Sequence, residues 1–178
     1  NAPEGKVPVT KVTSGGWIYD SKTGRMMFET YVHMDEEMVT DGHHMHTDII
    51  ISDDGGKTWY LGDTLPCRVC TEGYIGNLDY PAYALSYNDG IELSTNDGKG
   101  PNVDFVFPLG ARYDNIGSFA SRIAYSRDGG DTWFYSETPI TYPSLYGLEG
   151  GCSEGWIMER ADGVLALHVR CQDESTTN

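Results

Sequence analysis

Two copies of one eight-residue pattern constrain the fold of this chain more than any other feature of its sequence. SDDGGKTW occupies positions 52–59, and SRDGGDTW occupies positions 126–133. Short apolar, strand-like segments precede each copy and another follows it, whereas no segment of useful length has the 3.6-residue period of a helix. Each copy is therefore predicted to be the tight hairpin loop of a unit of four antiparallel strands, and the fold is predicted to be all-β.

The strand-like segments come in the same order around both copies. They cover 16–20, 24–33, 47–52 and 59–65 in the first unit, and 84–93, 103–113, 121–126 and 133–140 in the second. Blade-like units are expected at about 14–65 and 83–140, with the start of a third at 152–172, in a single domain 1–178. Such tandem units are typical of β-propeller blades, whose apolar faces need neighbours. The chain is therefore expected to form two to three blades of a propeller completed by the same or an associated chain.

The residues shared by the two octets have mechanical roles in a tight loop. Asp and Ser side chains bond to loop backbone groups, Gly provides positive φ angles, and Trp anchors the loop in the core. A calcium-binding loop is the alternative, but the ligand spacing of an EF-hand is absent. Two tryptophans outside the octets, Trp17 and Trp156, are also predicted to lie in the core. The shared residues are Ser52, Asp54, Gly56, Thr58 and Trp59 in the first copy and Ser126, Asp128, Gly130, Thr132 and Trp133 in the second.

Charge and cysteine content restrict the partners and the setting. Twelve basic against 27 acidic residues give a net charge of −15, which argues against nucleic-acid binding because that function needs a basic surface. No apolar run reaches 18 residues, so no membrane span is expected. The four cysteines, Cys67, Cys70, Cys152 and Cys171, favour disulfides and a secreted or cell-surface protein. Cys67 and Cys70 also have the spacing of zinc ligands, although neither a metal nor a cofactor is expected.

The segment 152–172 contains the residues that are best placed for chemistry. If Ala161, Asp162 and Gly163 form a three-residue hairpin loop, Glu154 faces Arg170 across the strand pair. With a two-residue loop, Cys152 would face Cys171 instead. The two pairings therefore compete unless a bulge intervenes, and the first is favoured. A cross-strand salt bridge is the structural interpretation of Glu154 and Arg170, and a carboxylate held beside a basic group in a cleft is the functional one.

The octet resembles the Asp-box of the sialidase (neuraminidase) superfamily. YDSKTGRMMFETYV with TDIIISDDGGKTW is similar to the second blade of sialidases, and GIEL, FVFPLGARY and SRIAYSRDGGDTW are similar to the third. GCSEGWIMERADGVLALHVR resembles the segment with the catalytic glutamate and one arginine of the sialate-binding triad. The resemblance, over roughly positions 14–172, implies a six-bladed propeller that hydrolyses terminal sialic acids. It implies that Glu154 is the base that activates a tyrosine nucleophile and that Arg170 binds the sialic acid carboxylate.

The sequence departs from that family at several functional positions. The Arg-Ile-Pro type motif of the first blade is missing, and no tyrosine matches the nucleophile by motif. Asp41 could take the place of the acid/base aspartate only if the first unit were a first blade. Two hypotheses follow: an exo-α-sialidase whose remaining blades lie elsewhere, or a catalytically incomplete propeller that binds glycans or assembles with other chains.

Two smaller groups of residues are further candidates. Arg112, at the end of a predicted strand, is either a substrate contact or a plain surface charge. His43, His44 and His46 lie between Asp41 and Asp48 in DGHHMHTD, where a metal site is the alternative to a polar loop.

Overall fold

A computed structural model describes residues 3–9, 15–33, 45–65, 83–85, 88–96, 102–112, 119–137, 140 and 150–173. These residues form strands, turns and loops, so no helix among them could cross a membrane. The strands are β1 (Gly15–Tyr19), β2 (Met26–His33), β3 (Met45–Ser52), β4 (Tyr60–Leu65), β5 (Tyr83–Leu85), β6 (Ile91–Glu92), β7 (Phe105–Arg112), β8 (Phe119–Ser126), β9 (Phe134–Tyr135), β10 (Gly150–Glu159) and β11 (Leu165–Asp173).

The first sheet has the predicted order of four antiparallel strands, β1-β2-β3-β4. The β2–β3 register opposes Met27 to Ile51 and Phe28 to Ile50, so alternate side chains point to opposite faces. The N-terminal residues lie beside the outer strand, where Leu61 N donates to Val7 O at 2.9 Å. The prediction of a four-stranded unit closed by the first octet is confirmed.

The second sheet has a four-stranded path, β5-β7-β8-β9, and β6 pairs with β7 as a fifth strand. The prediction of one continuous strand over 84–93 was wrong, because β5 and β6 pair with opposite ends of β7. The residues between them include Asn88, Asp89 and Gly90, which are residue types that favour turns. Gly90 N donates to Trp17 O at 2.9 Å, and Asp89 Oδ1 accepts from Trp17 N at 3.0 Å. The residues between β5 and β6 thus form hydrogen bonds to the first sheet.

Strands β10 and β11 form an antiparallel hairpin. Arg160 N donates to Val164 O at 2.9 Å, and Gly163 N donates to Arg160 O at 2.8 Å. Gly163 has a φ of 78°, as the third residue of such a loop requires. The predicted three-residue loop is confirmed.

The second sheet is buried on both faces. Phe105, Phe107 and Leu109 of β7 pack with apolar residues of the first sheet, in a core that includes Met27, Ile49 and Ile51. The intervening Val106 packs on the opposite face with Leu93 and with Ile157 of the hairpin. The described residues are therefore stacked in three layers: the first sheet, the second sheet and the hairpin.

Three of the four tryptophans differ from their predicted burial. Trp133 is buried against Phe107, with ring centroids 5.1 Å apart, as predicted. Trp59 is only partly buried, and Trp17 and Trp156 are 43% and 53% exposed, so their assignment to the core was wrong. Trp156 alternates with the inward-facing Gly155 and Ile157, and therefore points away from the second sheet.

Both octets form the same hydrogen-bonded loop. The Asp carboxylate accepts bonds from the Ser hydroxyl and from the amide and hydroxyl of Thr, and the Ser hydroxyl accepts one from the second Gly amide. The indole N–H donates to the Gly56 carbonyl at 3.1 Å in one loop and to the Gly130 carbonyl at 3.0 Å in the other. These glycines have φ of 83° and 89°. The predicted bonds between the Ser and Asp side chains and the loop are therefore present in both octets, whereas the predicted burial of the Trp holds for Trp133 and not for Trp59.

Arg25 joins the two loops and was missed by the sequence analysis. Its Nε donates to Asp53 Oδ1 at 2.7 Å, and its Nη1 donates to Asp131 Oδ1 at 2.6 Å and Gly129 O at 2.9 Å. Burial disfavours the charge, but the bonds to Asp53 and Asp131 raise the pKa of Arg25 above its usual value. Burial and the bond to Asp53 raise the pKa of Tyr60 to about 12. This cluster ties the first sheet to the second.

The Asp54 carboxylate of the first octet should make the stability of the protein depend on pH. Hydrogen bonds from the amide and hydroxyl of Thr58 lower the pKa of Asp54 from 3.8 to about 2. Since the folded pKa is the lower one, the stabilisation is complete above about pH 4 and is lost as the pH falls towards 2. Asp54→Asn should therefore lower the urea midpoint at pH 6, and the difference from wild type should close between pH 4 and pH 2.

The control for this prediction is Glu137→Gln, because Glu137 is exposed. Its urea midpoint should track that of the wild type at every pH. An Asp54→Asn deficit that stays constant down to pH 2 would contradict the role given to the carboxylate.

Candidate functional site

The candidate site lies on the hairpin where its register shifts. The backbone pairs Cys152 with Cys171 and Gly155 with Val169, so that Ser153 and Glu154 together oppose a single residue, Arg170. Two residues against one is a β-bulge, which bends the strand and redirects a side chain. Both pairings that competed in the sequence are therefore present, because the bulge lies between them.

Glu154 and Arg170 form an ion pair across the strands. Arg170 Nη1 donates to both carboxylate oxygens of Glu154, at 3.0 Å each. The Glu154 side chain is 34% exposed and that of Arg170 is 50% exposed. The predicted contact is confirmed, and both groups are accessible from solvent.

The inner face of the hairpin supports this pair. Gly155, which directly follows Glu154, is buried, and an added Cβ there would meet the side chains of Leu167 and Val169. Ile157 packs with Val106 of the second sheet. The ion pair therefore lies on a strand whose inner face is fixed by packing.

Hydrogen bonds from the second sheet hold the same strand at two points. Asn88 Nδ2 donates to Gly155 O at 2.9 Å. The amide and hydroxyl of Ser94 donate to the carboxylate of Glu159 at 2.7 and 2.6 Å. These contacts join residues more than 60 positions apart, so no local sequence pattern predicted them.

The Ser94–Glu159 contact repeats one at the other junction. The amide and hydroxyl of Ser21 donate to Glu92 at 3.0 Å each. Ser21 and Ser94 are 73 residues apart, close to the 74-residue offset of the octets. This offset could have indicated from the sequence that Ser21 and Ser94 have equivalent positions, because the repeat extends beyond the octets to these serines.

A groove of about 530 Å³ lies between the first two sheets. Exposed Trp17 and Tyr19 give it an aromatic wall. Its two carboxylates already accept hydrogen bonds, Asp89 from Trp17 N and Glu92 from Ser21. The lining residues are Trp17, Ile18, Tyr19, Met26, Asp89, Gly90, Ile91 and Glu92.

The remaining sequence candidates are placed only in part. Arg112 ends β7, where its backbone pairs with Tyr83 and Phe119, and its role as a substrate contact stays a prediction. Asp41, His43, His44, Cys67 and Cys70 lie outside the described residues. The presence of disulfides also stays a prediction, and their pairing stays open.

The histidine-rich segment enters the described part of the chain only at its end. The backbone of His46 pairs with Val32 in the first sheet, and Asp48 accepts a bond from the Thr64 hydroxyl at 2.7 Å. Within the residues that the structure describes, no three His, Cys, Asp or Glu side chains are grouped to hold a metal ion.

The exposed ion pair can recognise a ligand that carries a carboxylate beside hydroxyl groups. The bonds to Glu154 use Nη1, and no described residue accepts a hydrogen bond from Nε or Nη2 of Arg170. These donors suit a bidentate contact to a ligand carboxylate. The Glu154 oxygens can accept from a hydroxyl.

Comparison with known proteins does not assign the chain to a family. No protein-family model matches it, and no curated protein does so either. In the part of the chain that the structure describes, the fold is all-β, with two antiparallel sheets of four strands in sequence, a fifth strand paired to the second sheet, and a hairpin.

The ion pair is expected to contribute little to stability. Exposed salt bridges contribute about 0–1 kcal/mol, so Glu154→Gln should lower the free energy of unfolding by less than about 1 kcal/mol. Ile157→Ala, two strand positions beyond Gly155 and buried, should lower it by about 2–5 kcal/mol. Urea denaturation of both variants measures the difference. A loss in Glu154→Gln as large as in Ile157→Ala would mean that the pair is a structural support.

Proposed function

We propose that the chain is part of a sialidase-like β-propeller, in which Glu154 and Arg170 belong to a site for terminal sialic acids. Hydrolysis of these sugars follows where further blades supply the remaining groups. The observation that carries the proposal is the exposed Glu154–Arg170 pair across a β-bulge. Its two residues are the ones to which the resemblance assigns the catalytic base and a carboxylate-binding arginine.

The architecture supports the propeller. Each octet closes a four-stranded antiparallel sheet, and neighbouring layers pack face to face. In the proposed propeller the hairpin is the start of a third blade, and the packing of β10 on the second sheet supports this assignment. Stacked blades of this kind close into a ring when further units are added.

The proposed chemistry assigns one step to each side chain. The Nε and Nη2 donors of Arg170 bind the sialic acid carboxylate and orient the sugar. Glu154 accepts the proton of a tyrosine hydroxyl from another blade, so that the phenolate attacks the anomeric carbon. The glycosidic bond breaks as an acidic group of another blade protonates the leaving oxygen. Water, deprotonated by the same group, then hydrolyses the tyrosyl intermediate with net retention, and Glu154 returns the proton to the tyrosine.

A second candidate function is glycan binding without hydrolysis. The groove with Trp17 and Tyr19 at its wall favours it, because aromatic faces stack on sugar rings. The missing first-blade arginine motif and the unmatched tyrosine favour it as well.

Binding of 3′-sialyllactose, followed by saturation-transfer NMR, tests the proposal. Wild-type protein should bind sialyllactose and not lactose, and Arg170→Ala should weaken binding by about 10- to 100-fold because one charge-assisted contact contributes about 1.5–3 kcal/mol. The matched control is Arg160→Ala on the same hairpin, where Arg160 is exposed and pairs with Asp162 at 3.0 Å. This variant should bind like the wild type.

A fluorogenic sialoside separates the two candidate functions. Turnover that Glu154→Gln abolishes, with folding retained, supports the hydrolase. Because hydrolysis needs groups from further blades, binding without turnover supports the glycan-binding module only if Arg170→Ala leaves that binding unchanged. Equal loss of binding in Arg160→Ala and Arg170→Ala, or no binding by the wild type, would contradict the proposed site.

A further inference from the structure

The second sheet reaches the candidate site through its interrupted edge. Asn88 lies in the interruption between β5 and β6, and its Nδ2 donates to the carbonyl of Gly155 at 2.9 Å. Gly155 directly follows Glu154 and ends the bulge. Asn88 therefore connects the interrupted edge of the second sheet with the end of the bulge.

Ser94 holds the other end of the same strand. Its amide and hydroxyl donate to the two carboxylate oxygens of Glu159, at 2.7 and 2.6 Å, where β10 ends. Bonds to a charged carboxylate are stronger than neutral ones, and two of them fix its orientation. Asn88 and Ser94 thus bond to β10 four residues apart, on both sides of the buried Ile157.

A bulge needs this kind of support. One residue of the bulged strand lacks a ladder partner, so its position depends on contacts outside the strand pair. Functional side chains must be held to within about 0.5 Å of their working geometry by such surrounding contacts. The packing of Ile157 fixes the distance of β10 from the second sheet, and the two polar contacts fix its position along the strand.

We propose that Asn88 and Ser94 are positioning residues of the Glu154–Arg170 site. They dock β10 on the second sheet and thereby set the geometry of the ion pair. Their effect on ligand binding rests on the proposed function, whereas their effect on the ion pair does not.

The chain offers a matched control at the other junction. Ser21 makes the same pair of bonds to Glu92 that Ser94 makes to Glu159. Ser21→Ala and Ser94→Ala therefore each remove one hydroxyl donor, but only the Ser94 hydroxyl donates to the strand that carries Glu154. Ser94→Thr keeps the hydroxyl, and Asn88→Asp keeps the shape while removing the donor to Gly155.

The experiment records the Arg170 Nε–Hε resonance by NMR in each variant, and in parallel the dissociation constant for 3′-sialyllactose. Ser94→Ala and Asn88→Asp should shift the Arg170 resonance and weaken binding by between about tenfold and 100-fold. Ser21→Ala should leave the Arg170 resonance unchanged, although it lowers the unfolding midpoint as Ser94→Ala does. Ser94→Thr should restore the wild-type resonance.

The Arg170 resonance and the dissociation constant together distinguish a failure of the proposed function from a failure of the positioning roles. If the wild type does not bind sialyllactose, the proposed function fails and the Arg170 resonance alone decides the positioning roles. An Arg170 resonance that is unchanged in both Ser94→Ala and Asn88→Asp, or that shifts equally in Ser21→Ala, overturns them. If Asn88→Asp does not fold, the comparison of Ser94→Ala with Ser21→Ala and Ser94→Thr decides the question.

Discussion

The burial of the second sheet on both faces is the constraint on which the rest of the structure depends. Phe105, Phe107 and Leu109 of β7 face the first sheet, whereas Val106 faces the hairpin. Because successive side chains of a strand point to opposite faces, one strand can hold both neighbours. The hairpin has two described strands, and among the described residues its buried face packs on this sheet. The position of Glu154 and Arg170 in the molecule follows from that packing.

The repeated units could be predicted from sequence because their signals are local. The octets fix two loops through bonds between residues at most four positions apart, and the strands next to them alternate as expected. The split of β5 from β6 could not be predicted in this way. It depends on Asp89 and Gly90 bonding to Trp17, some 70 residues away. The exposure of Trp17 and Trp156 was missed for a related reason, since an aromatic residue in a strand does not show which face has a neighbour.

At the candidate site, the contact within the hairpin could be predicted from the sequence, but the contacts between layers could not. Counting back from the three-residue loop correctly opposed Glu154 to Arg170, because hairpin register is set by loop length. The bulge had no signal of its own, and it was needed to place Cys152 opposite Cys171 as well. Asn88 and Ser94 were missed because their partners lie in a different layer. What the sequence could not provide is the contact between layers, and that contact holds the site in place.

The most direct test of this account is the packing of the hairpin on the second sheet. Nuclear Overhauser spectra of methyl-labelled protein should connect the Ile157 methyl groups with those of Val106 and Leu93, since these residues form one buried cluster. Ile157 methyl contacts confined to the hairpin, with none to Val106 or Leu93, would show that the hairpin does not pack on the second sheet. The account of the site would then be contradicted, because nothing would fix β10 in position.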